Sequence, residues 1–103
     1  PRLSAVHVRA SFYGPPAYIA RREFAMAEAF YRVAEVIAPE DPDVLLGLAR
    51  CAAQLGRQDD AFALLERAGQ ALTLSPGAAE SDPYLGPLRQ DPRWPSFLSR
   101  LSG

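Results

Sequence analysis

Apolar positions recur along much of this chain at helical spacing, and that pattern carries most of what its sequence predicts. Between Ala17 and Ala38 no Pro or Gly interrupts, and Pro15 and Pro16 precede it where first-turn residues need no N–H. The stretch reads as one long helix. It bears two apolar stripes: Ala20, Phe24, Ala27, Tyr31 and Ala34 on one side, Ile19, Met26, Phe30, Val33 and Ile37 on the other. A helix apolar on two sides is normally sandwiched between neighbours. "APEDPDV" then ends it, because Pro39 resists continuation while Asp41 can cap and Pro42 can occupy the next first turn. The following helix, 42 to 55, is expected to bury Leu45, Leu48, Ala49, Ala52 and Leu55.

"LGRQDDAFALLERA", residues 55 to 68, reads as a turn and a third helix. Gly56 stands where a helix C-terminus favours a residue tolerant of positive φ, and Asp59 and Asp60 place negative charge on the next first turn. Ala61, Leu65, Ala68 and Leu72 share a face, whose small alanines allow close approach of two backbones. Shifting the chain by 34 residues lays "AEAFYRVA" over "AFALLERA": three alanines coincide, and Phe30 and Tyr31 meet Leu64 and Leu65. That period is the one expected of paired-helix arrays.

In Tyr31, Ala34 and Pro39, then Leu45, Leu48, Ala49, Gly56, Ala61, Leu65 and Ala68, the sequence resembles a tetratricopeptide repeat protein over residues 17 to 72. The tail "SDPYLGPLRQDPRWPSFLSRL" is similar to the closing segment that follows the last repeat in many bacterial members. The resemblance implies an all-α fold: a short α-solenoid of antiparallel helix-turn-helix units, with a C-terminal capping helix. It divides the chain into an N-terminal segment 1–16, repeat helices 17–72 and a capping segment 73–103. Trp94, Phe97, Leu98 and Leu101 fall on one face, as a cap over the last repeat helix requires. The N-terminal segment departs from the family, since Gly14 to Pro16 would break a leading helix. "VHVRASFY" alternates like a strand, yet Leu3, Val6, Ala10 and Tyr13 also fit a helical face; a displaced helix is favoured because a lone strand has no partner in a helical domain.

Tetratricopeptide proteins typically hold a peptide on the inner face of their leading helices. By resemblance, Asp43, Leu46, Arg50, Ala53 and Gln54 line that face here, with Arg50 suited to a carboxylate and Leu46 to an apolar contact. Members that grip a terminal carboxylate use Lys and Asn there, and this chain has neither.

Composition narrows the function further. Eleven basic residues balance twelve acidic ones, so no field draws the chain to nucleic acid or anionic lipid. No apolar run approaches the roughly 20 residues that cross a bilayer. Cys51 and His7 each stand alone, so neither a disulfide within the chain nor a metal-ligand motif can be written. No nucleophile or phosphate-cradling motif occurs, and the paired carboxylates sit at helix starts, where capping accounts for them. The expectation is a non-catalytic interaction module without cofactor or metal, binding a protein or peptide. Two other readings are a self-assembling helical oligomer and the regulatory tail of an enzyme lying upstream of Pro1.

Overall fold

The computed structural model describes residues 18–72 and 74–102. The readings for residues 1–16 lie outside this range. Among the described residues every regular element is helical. A helical turn at 18–20 leads into α1 (Phe24–Ile37), α2 (Pro42–Gln54) and α3 (Gln58–Ala68). A short 3-10 turn, Gly69–Ala71, is followed by α4 (Pro76–Ser81), a 3-10 helix (Pro83–Gln90) and α5 (Trp94–Ser102).

The long helix expected before Ala38 is in fact broken at residues 21–23. Arg22 takes φ 61°, a left-handed value without the glycine that usually supplies it. The hydrogen bonds explain the break. Arg22 N–H donates to the Ile19 carbonyl (2.9 Å) and Glu23 N–H to Tyr18 (2.8 Å), which closes the preceding helical turn as a Schellman motif. Thirty-four residues later the same pair recurs, from Gly56 to Ala53 (3.2 Å) and from Arg57 to Ala52 (2.8 Å), with Gly56 at φ 81°. The turn therefore belongs to the repeat.

Capping chemistry sets the other boundaries. Asp41 Oδ1 accepts from Asp43 N–H (2.9 Å) and Val44 N–H (3.4 Å), with Pro42 in the first turn of α2. Ser75 Oγ accepts from Ala78 N–H (3.1 Å) to start α4, and Asp82 Oδ1 accepts from Tyr84 N–H (2.9 Å) to start the 3-10 helix.

α2 is the central rod. Val44 to Ala49 and Cys51 to Ala53 are all buried, because α1, α3 and the 3-10 helix 83–90 pack around it. Leu45, Leu48 and Ala49 lose all exposure, as do Leu85 and Leu88 from the tail. At about 1.5 to 3 kcal/mol for each fully buried leucine, the tail is part of the core. Leu55, expected inside, is exposed: the helix ends one residue earlier and the Gly56 turn carries its side chain out. α5 caps the array, with Trp94 and Phe97 buried and their ring centroids 5.3 Å apart. Phe97 also meets Phe62 of α3 edge-on at 6.5 Å. Trp94 is a packing residue.

Candidate functional site

Two surfaces could present a binding face. The first is the side of α2 that carries Asp43, Leu46, Arg50, Ala53 and Gln54. Asp43 is exposed at the N-terminal end of α2, whereas Leu46 and Ala53 are buried. Arg50 donates from Nε (2.9 Å) and its terminal nitrogen (2.7 Å) to Oδ2 of Asp82, a side chain only 6% exposed. Gln54 Nε2 donates to the carbonyl of Tyr84 (3.1 Å), and Gln58 Nε2, one turn further, to that of Pro87 (3.1 Å). Arg50, Gln54 and Gln58 thus form a row that tracks the tail from residue 82 to 87. This face does hold a polypeptide segment, and the segment is the chain's own. Gln58 was not legible as a member of the row, since it lies beyond the Gly56 turn. The signal was the common step of four from Arg50 through Gln54.

The second surface is the outer side of α1. The stripe of Phe24, Ala27, Tyr31 and Ala34 packs inward against α2. The other stripe finds little cover: Met26 is 52% exposed, Val33 54%, Val36 85% and Ile37 76%. Phe30 is half-buried beneath Tyr18, with centroids 5.3 Å apart. With Ala25 and Ala29, these residues occupy about 140° of the helix circumference without a charge. Leu55 adjoins the same surface, because a shallow depression beside Phe24 is lined by both Met26 and Leu55. The charged side chains of α1 point elsewhere: Glu28 pairs with Arg57 (2.7 Å) and Glu35 with Arg67 (2.7 Å) on α3 and its leading turn.

The sequence profile of the tetratricopeptide repeat matches residues 18–80. The chain belongs to the tetratricopeptide repeat family. No curated protein and no solved structure gives a significant match. Tetratricopeptide repeats generally mediate protein–protein interaction, and in this array α1 and the helix-turn-helix α2–α3 are the units of the repeat.

Within the repeat register, Met26 and Val33 correspond to Asp60 and Arg67. That exchange of charge for hydrocarbon was the signal in the sequence for the α1 face. Reactive chemistry is sparse among the described residues of this tetratricopeptide array. The Cys51 thiol is buried, and burial first, then the nearby Glu28 carboxylate, pushes its pKa up to about 11, so it stays protonated at neutral pH. No group of three His, Cys, Asp or Glu among the described residues is arranged to hold a metal ion, and no described helix is long and apolar enough to cross a membrane.

Proposed function

We propose that this chain is a non-catalytic protein-binding module and that the uncharged outer face of α1 is its partner-binding surface. The observation that carries this reading is the exposure of Met26, Val33, Val36 and Ile37 side by side on one helix. An exposed contiguous apolar patch costs solubility and marks an interaction site more often than not. The inner face expected from the family, Asp43, Leu46, Arg50, Ala53 and Gln54, serves instead to fasten the tail. A ligand peptide there would have to displace the Arg50–Asp82 pair together with Leu85 and Leu88, at a cost of several buried leucine equivalents.

The α1 face suits an amphipathic helix, whose apolar stripe would lie along Met26, Phe30, Val33 and Ile37. Panning a displayed library of helical peptides against the immobilised chain checks this. Selected peptides are expected to bind the parent and to lose binding to a variant carrying Met26→Asp and Val33→Arg. Peptides that bound both proteins equally would remove the α1 face from the account.

A further inference from the structure

We infer that Gln54 is a two-ended clamp that couples the turn at 18–23 to the tail, so that loosening either one loosens the other.

Arg22 holds φ 61° where its repeat partner is a glycine, and an arginine in the left-handed region stands at a cost that its side chain has to offset. The two turns differ in what a side chain there can reach. Around Gly56 no described atom lies within 4 Å of where a Cβ would stand. The Arg22 guanidinium, by contrast, extends to Gln54 at the end of α2 and donates to its Oε1 (3.1 Å). It also lies over the ring of Phe24 (5.4 Å).

The other end of the Gln54 amide faces the tail, where Nε2 donates to the Tyr84 carbonyl (3.1 Å). One planar group thus accepts from the turn and donates to the tail. Rotating it half a turn would set its N–H groups against the guanidinium and its oxygen against the carbonyl, so both partners fix the same orientation. Each bond orders the side chain for the other, because the rotamer freedom lost in forming the first is not lost again in forming the second.

The aromatic rings close the same circuit. Tyr84 meets Phe24 edge-on with centroids 6.1 Å apart, and it packs on the small core of Ile19, Phe24, Ala27 and Cys51. Arg22, Phe24, Gln54 and Tyr84 therefore form a closed ring of contacts drawn from the turn, α1, α2 and the tail. Among the described residues Arg22 makes no hydrogen bond to the tail itself, and the Gln54 amide is what joins them. Displacing the turn accordingly weakens the tail's hold on α2, and freeing the tail weakens the turn. Closure of the Arg50 face is thus held in part from residues 18–23.

A double-mutant cycle followed by urea unfolding tests this, with Arg22→Gly at one end and Asp82→Ala at the other. Changes at sites with no shared partner combine to within about two-fold in the unfolding equilibrium constant. Asp82→Ala loosens the tail, and with it the bond that Arg22→Gly removes. Arg22→Gly is therefore expected to stabilise the Asp82→Ala background about five-fold more than it stabilises the parent. In a Gln54→Leu background, which loses both amide bonds and keeps the volume, the two changes should become additive. Gln58→Ala, which removes only the bond to the Pro87 carbonyl, takes the place of Asp82→Ala in the cycle if that variant does not fold. Additive changes in the parent would overturn the coupling, and the same departure from additivity in the Gln54→Leu background would overturn the role of Gln54.

Discussion

The hydroxyl end of the Tyr31 ring on α1 lies against Gly47 of α2, so close that a Cβ at position 47 would overlap it. Gly47 is in mid-helix with no positive φ, and its use there is the space it leaves for the ring. Burial in turn holds the Tyr31 hydroxyl above its ordinary pKa of 10.0. Gly47→Ala would gain up to about 1 kcal/mol of helix propensity but force the ring out, for a net loss of about 1 to 3 kcal/mol. Urea unfolding should show the lower midpoint. Combining Gly47→Ala with Tyr31→Ala should cost less than the sum of the single changes, since the second removes the clash created by the first.

Asp82 links the tail to α2 and caps the 3-10 helix at once. Asp82→Ala removes both, and leaves Arg50, 29% exposed, partly able to recover water. The expected loss is roughly 2 kcal/mol, below the 3 to 5 of a fully buried pair. A denaturation midpoint unchanged from the parent would show that this contact does not fasten the tail.

The two equivalent turns should respond differently to substitution. Gly56→Ala forces a side chain into φ 81° and should cost about 1 to 2 kcal/mol. Arg22→Gly relieves the same strain at φ 61°, but forfeits the bond to Gln54 Oε1 (3.1 Å) and the contact of the guanidinium over Phe24 (5.4 Å). A change between neutral and about 1 kcal/mol of added stability is expected, read by thermal melts of both variants.

Acid should weaken the fold in a defined window. Hydrogen bonds from the Arg93 side chain, then from its backbone N–H, hold Asp91 down to about 2 from 3.8, and hydrogen bonds from Arg67 and Arg32 hold Glu35 below its ordinary 4.5. Both carboxyls have depressed folded-state values, so the stability they contribute is present above their ordinary values. It is lost as pH falls from about 4.5 toward 2, where the unfolded chain binds protons first. Melting temperatures at pH 7, 4, 3 and 2 should fall along that series, and Arg93→Ala should flatten its lowest part.

Much of this architecture was legible because each local signal had one physical meaning. Asp41, Pro42 and Gly56 fixed helix ends, while Ala61 and Ala68 marked a face that must approach another closely. The turn at Arg22 is hidden by residue type: an arginine carries no preference for positive φ, and only its repeat partner Gly56 betrays the position. Leu55 follows the buried spacing but lies just past the last turn of α2, where periodicity no longer governs burial. The α2 face was harder still. Spacing put Arg50 and Gln54 on one side of the helix, but their partners, Asp82 and the carbonyl of Tyr84, lie about 30 residues away, and no periodicity within α2 encodes them.

The account turns on the tail being a fixed wall of the array and not a removable lid, since that is what transfers partner binding to α1. Amide hydrogen exchange of the full chain reads this directly. The amides of 84–90 are expected to be protected along with α2 and to exchange in the same cooperative opening. Exchange of 84–90 within seconds, while 42–54 and 58–68 stayed protected, would show a detachable tail and return the inner face to any ligand that could compete for Arg50.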